Sequence, residues 1–319
     1  MSETCVTYPR RTWTFGTYFE RSLTLTCPVV AAQVLIPNEP VKFETVEVSE
    51  RVHNNLGRIQ ASFSLVPRNL FGKMKFIQET AVTILQERTL TIDSRLMLLG
   101  LYFDKLDELL KVENFNELEQ VNAAFKDSNF LQEQAKNFSQ VIKFDVGEHI
   151  KIMFGTLETL YGEGNVKKVE DRKFVDAVAD TLRIQVDENK QVSVKKLAEN
   201  YLELDEARQR FSQYYSTLFE NYLVNELFMN LYPFKFKGSI TYNYGVFVTI
   251  YKLLELITFS MSIQHFLKEK KTMDKISLTA VVMMHANNID HNKTYTDKIS
   301  EYLKDKNDIV EIMQSMLQV

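Results

Sequence analysis

Cysteine is almost missing: the 319-residue chain holds two, Cys5 and Cys27, both near its start. Two thiols make no disulfide framework, and a chain of this length needs none to bury a core. They would also fill only part of the four-thiolate shell usual for an iron–sulfur cluster. Proline is scarce after the first fifth. Five of the six (Pro9, Pro28, Pro37, Pro40, Pro67) lie within residues 1–67, and only Pro233 follows. Ten glycines leave little material for phosphate-binding loops. No Walker A pattern occurs, and Gly162-Glu163-Gly164 lacks a third glycine and follows a helical stretch rather than a strand. It reads as a helix stop, which disfavours a Rossmann-type enzyme.

Excess charge of either sign is missing too. A net charge of -4 gives no reason to expect nucleic acid as a partner. The start has no basic segment followed by an apolar run, so no signal peptide is expected and a cytoplasmic location is the default. A spanning helix needs about 20 nearly uncharged residues. The most apolar stretch, 245–266, is interrupted by Lys252, Glu255, Gln264 and His265. It reads as a buried helix, and no membrane partner is expected. Neither His-Glu-x-x-His nor Gly-x-Ser-x-Gly occurs. His285 and His291 stand six apart and do not share a helix face, and His53, His149 and His265 are isolated.

What is present is an ordinary globular composition, 45% apolar. Proline punctuates helices, so its distribution implies two regimes: loops and short strands over residues 1–70, and a helical domain over 71–319. Glu20 to Thr26 and Val41 to Val48 alternate and read as strands, with one or two helical turns after Pro28. From Lys73 the period turns helical. Met74, Ile77, Ala81 and Ile84 share a face, and Asp93 is placed to cap a helix carrying Leu96, Leu99, Phe103, Leu106 and Leu110. Further helices are predicted near 116–125, 128–142, 149–161, 171–183, 246–267 and 277–289, with one or two more at the end. Ser193 is placed to cap a long helical region running unbroken to Tyr232, where Pro233 stops it. The fold class is mainly α, a multi-helix bundle behind a small N-terminal segment with short strands.

Within that long region the aromatic residues Tyr214, Tyr215, Phe219, Tyr222, Phe228 and Tyr232 read first as core. Glu220, Asn221, Asn225 and Glu226 lie among them at spacings that share a face. Such polar groups must be hydrogen-bonded if buried. They form either a polar network inside the bundle or the lining of a ligand pocket.

Several segments together resemble the flagellin lysine-N-methylase (FliB) family. They are Ser2-Glu3-Thr4-Cys5 with Tyr8-Pro9-Arg10, Glu20-Arg21-Ser22 running on to Cys27-Pro28, Arg95-Leu96 to Gly100-Leu101, Glu220-Asn221-Tyr222 to Pro233-Phe234, and Asp290-His291-Asn292. The resemblance implies a protein-lysine N-methyltransferase that uses S-adenosylmethionine and an iron–sulfur cluster on flagellin. Family members carry a further, earlier cysteine cluster, so the expectation is an N-terminally short version, with residues 1–70 the remnant of a cysteine-containing region. The alternative is a catalytically inactive relative serving as a flagellin-binding helical module. By the same resemblance Cys5 and Cys27 would be metal ligands, and Tyr8 and Arg10 would sit beside the cluster. Glu220, Asn221 and Asn225 would line or brace the cofactor pocket. Asp290 and His291 would be the catalytic candidates, the carboxylate orienting the imidazole.

Overall fold

A computed structural model describes residues 8–15, 18–47, 59–61, 65–113, 115–161, 169–185, 192–291, 299, 301–304, 306 and 308–318. The N-terminal segment forms β1 (Arg10–Phe15), β2 (Tyr18–Leu23), α1 (Pro28–Leu35) and β3 (Ile59–Ala61). After a 3-10 turn at Arg68–Lys73 come α2 (Met74–Leu85), α3 (Ile92–Lys111), α4 (Leu118–Ala124), α5 (Ser128–Ser139), α6 (Val146–Tyr161) and α7 (Val169–Thr181). The chain continues through α8 (Val194–Glu203), α9 (Asp205–Tyr214), α10 (Ser216–Met229), α11 (Ile240–Glu269), α12 (Lys275–His291) and α13 (Ile309–Met316). The fold is mainly α.

The centre of the bundle is α11. Its N-cap Ser239 accepts from the Tyr242 amide at 3.0 Å, and α3, α6, α7, α12 and α13 pack around it. By length and composition it could cross a membrane, yet 83% of its most apolar stretch is buried inside the bundle. Where α3 crosses α11, a Cβ on Gly100 would overlap Tyr244 and Met313, so only glycine allows this approach. Tyr244 uses the closeness to donate its hydroxyl to the Leu96 carbonyl at 2.9 Å.

Two helices are also fastened by charge. Lys252 of α11, 4% exposed, contacts Asp93 of α3 at 2.9 Å and Glu255 at 2.7 Å. Asp93 therefore caps nothing. The cap of α3 is Thr91, which accepts from the Ser94 amide, while Asp93 spends its carboxylate on Lys252 and the Gln318 amide.

The sheet is three-stranded, in the order β2-β1-β3, with β1 antiparallel to β2 and parallel to β3. The strand read at Glu20 to Thr26 is β2, two residues earlier. The strand read at Val41 to Val48 is not formed over 41–47, which is irregular and mostly exposed; Val48 lies outside the described residues. Side chains take its backbone groups instead. Asn221 Oδ1 accepts from the Val41 amide, and Gln86 Nε2 donates to the Val41 carbonyl. The region from Ser193 to Tyr232 is not one helix but α8, α9 and α10. Leu204 and Tyr215 break it with ψ near 0°, and Asp205 and Glu206 supply negative charge at the new N-terminus of α9. Gly162-Glu163-Gly164 lies outside the described residues. The apolar core is continuous, from Trp13 and Phe15 of β1 to Met316 and Leu317.

Candidate functional site

Helix α10 is buried nearly all round, yet it carries five buried polar side chains: Glu220, Asn221, Asn225, Glu226 and, just past its end, Asn230. Each has work that its burial demands. Glu220, 1% exposed, accepts from Arg95 of α3 at 2.9 Å and from Arg88 at 2.8 Å. Asn221 donates to the carbonyls of Val34 and Glu39 at 2.9 and 3.0 Å and accepts from Val41. Asn225 donates to the Leu23 carbonyl at 3.2 Å. Asn221 and Asn225 clamp the chain from β2 through residue 41 onto the bundle.

At the lower end of α10 the clamp opens into a polar corner. Tyr8 and Thr26 share a hydroxyl contact at 3.4 Å, and Thr26 and Thr24 another at 3.0 Å. Thr24 donates to the Asp290 carboxylate of α12 at 3.4 Å. Cys27 follows directly as the N-cap residue of α1, a free, partly buried thiol. The Trp13 indole donates to the Met229 carbonyl at 2.8 Å and seats β1 on the end of α10. Beside it, Arg11 donates to Asn230 at 2.5 Å, and Asn230 donates to Glu226 at 2.8 Å. Lys235 completes the group, its Nζ above the rings of Tyr232 and Phe236.

The electrostatics follow from burial. Desolvation raises the Glu226 carboxyl to about 7; Asp290 adds to that, while Lys235 and Arg11 oppose it. Desolvation lowers the Lys235 ammonium even though Glu226 and Asp290 pull it upward, with Arg11 pushing the same way as burial. Burial thus draws the carboxyl and the amine toward each other in proton affinity.

The structure brings Tyr8, Cys27, Asn225 and Asp290 of the expected residues to this corner. Arg10 begins β1 opposite Leu23 and is exposed. Asn221 lies one turn back along α10, and Glu220 faces the α3 side. Cys5 and the His291 side chain lie outside the described residues. Among the described residues no group of three His, Cys, Asp or Glu side chains is placed to hold a metal ion. Sequence reasoning missed Arg11, Asn230 and Lys235. Asn230 was readable as the i+4 neighbour of Glu226, whereas Arg11 and Lys235 come from segments with no periodicity to place them.

The family model described as "FliB lysine N-methylase C-terminal domain" matches residues 78–319. No curated protein and no solved structure matches the chain.

Proposed function

The chain belongs to the FliB lysine N-methylase family, and from that premise we propose that it transfers a methyl group to lysine side chains of flagellin at the polar corner below α10. The observation that carries this reading is the family match itself. Its span takes in α10, the segment after it and α12, which supply Glu226, Lys235 and Asp290.

A lysine ammonium has no lone pair and must lose a proton before its nitrogen can attack carbon. Glu226, raised to about 7 by burial, accepts that proton at neutral pH. Arg11, through Asn230, fixes the carboxylate. S-adenosylmethionine supplies an electrophilic methyl group when bound. Asp290 with the hydroxyls of Thr24, Thr26 and Tyr8 suits its cationic centre and its own hydroxyls, and these residues would hold it. An iron–sulfur cluster fits less well. The chain has two cysteines, and Cys27 is the only one among the described residues. That falls short of the four thiolates such a cluster usually needs.

That shortfall of thiols favours one other reading, a flagellin-binding helical module without transfer. A single experiment separates the two. Purified chain is incubated with flagellin and S-adenosylmethionine, and flagellin peptides are read by tandem mass spectrometry. Methyl groups on flagellin lysines support transfer. Stable association without methylation supports the binding module, and the absence of both overturns both readings.

A further inference from the structure

The segment between α10 and α11 places an ammonium in a setting built to recognise one. Lys235 is half-buried, with its Nζ 5.4 Å from the Tyr232 ring centre and 5.2 Å from that of Phe236. The two rings meet edge to face, 6.3 Å apart. Tyr232 is fully buried, so its face is fixed. The carboxylates of Glu226 and Asp290 act on the same ammonium from α10 and α12. Aromatic faces with flanking carboxylates form the recognition chemistry of lysine and methylated lysine side chains. The occupant, however, sits on a non-helical segment bounded by left-handed backbone at Leu231 (φ 54°) and Gly238 (φ 140°). Burial works against its charge there, with Arg11 opposing it as well.

We propose that Tyr232, Phe236, Glu226 and Asp290 form a subsite for the lysine ammonium of a protein substrate, and that the chain's own Lys235 fills it in cis until a substrate lysine displaces it. The inference rests on the reading above that the chain acts on lysine, and adds the subsite and its internal competitor. An intramolecular occupant lowers apparent affinity by the fraction of time the subsite stands filled.

The test needs neither a methyl donor nor flagellin, so its failure and the failure of methyl transfer are read separately. The probe is Nα-acetyl-Nε-trimethyllysine amide, titrated by calorimetry or NMR. Lys235→Met keeps the stem and removes the charge. It is expected to bind the probe about tenfold more tightly than wild type. Adding Glu226→Gln to Lys235→Met is expected to cancel the gain, and Nα-acetyl-norleucine amide, which has no cation, is expected not to bind. Equal affinity in wild type and Lys235→Met, or a gain that survives Glu226→Gln, overturns the proposal.

A second measurement uses the unaltered protein. Acetic anhydride labelling read by mass spectrometry is expected to rise several-fold at Lys235 when the probe is added, and to stay constant at exposed Lys237. Unchanged labelling at Lys235 overturns the proposal independently of any variant's folding.

Discussion

Replacing Lys252 with Met should be among the most costly single changes in the bundle. Its ammonium lies 2.9 Å from Asp93 and 2.7 Å from Glu255 and is 4% exposed. At an effective dielectric of about 20, each contact is worth about 6 kcal/mol before desolvation is counted. Desolvation of three charges cancels most of that, but removing the lysine leaves two carboxylates facing each other out of water. The expected loss is about 3–5 kcal/mol at pH 7, a fall in melting temperature of roughly 6–15 °C. The loss should depend on pH. Burial pushes the Glu255 carboxyl up, but Lys252 leads the opposing charges and hydrogen bonds that hold it below its ordinary value, so that group's stabilisation is present above the ordinary carboxylate range and fades as pH falls. Without the lysine both carboxyls rise and protonate readily in acid, so the gap between variant and wild type should narrow from pH 7 toward pH 4. Urea unfolding across that range reads it. Asp93→Asn with Lys252→Met and Glu255→Gln together should recover most of the stability. A loss below about 1 kcal/mol, or one constant across pH, would refute the reasoning.

Asn221→Ala strips partners from two carbonyls and one amide of residues 34–41, at about 1–3 kcal/mol for each group left unsatisfied. Limited trypsinolysis should then cut faster after exposed Lys42. Glu20, 3% exposed, has its carboxyl pushed to about 7 by burial, with Tyr18 and Gln78 offsetting only part. A carboxyl raised on folding stabilises at low pH and loses that contribution as pH rises through its folded value. Glu20→Gln should therefore flatten the stability profile and exceed wild type at pH 8 by up to about 3 kcal/mol, read by thermal melts at pH 5 and 8. Gly100→Ala should cost about 1–3 kcal/mol, because the new methyl meets the Tyr244 ring at 2.7 Å.

Periodicity made the helices legible, and with them the mainly α class. It worked best where one face is apolar, as in α2, whose Met74, Ile77, Ala81 and Ile84 are all buried. It failed at Leu204 and Tyr215, where the helix turns without glycine or proline and the apolar pattern runs on across the break. Alternation at Val41 to Glu47 mimicked a strand because the pattern does not tell whether a neighbouring strand exists to pair with. The polar run on α10 was visible as buried hydrogen-bonding groups, but not its division of labour. Glu220 turns to Arg95, whereas Asn221 and Asn225 turn to the N-terminal chain. Long-range partners such as Arg11 with Asn230, 219 residues apart, leave no local trace.

The most direct test of the account is the rate of methyl transfer to flagellin lysines as a function of pH, for wild type and Glu226→Gln. Transfer by wild type is expected to rise as pH passes through about 7, where Glu226 ionises among Asp290, Lys235 and Arg11, and Glu226→Gln to lose that limb and run at a much lower rate. No transfer at any pH, or an unchanged profile in Glu226→Gln, would contradict it.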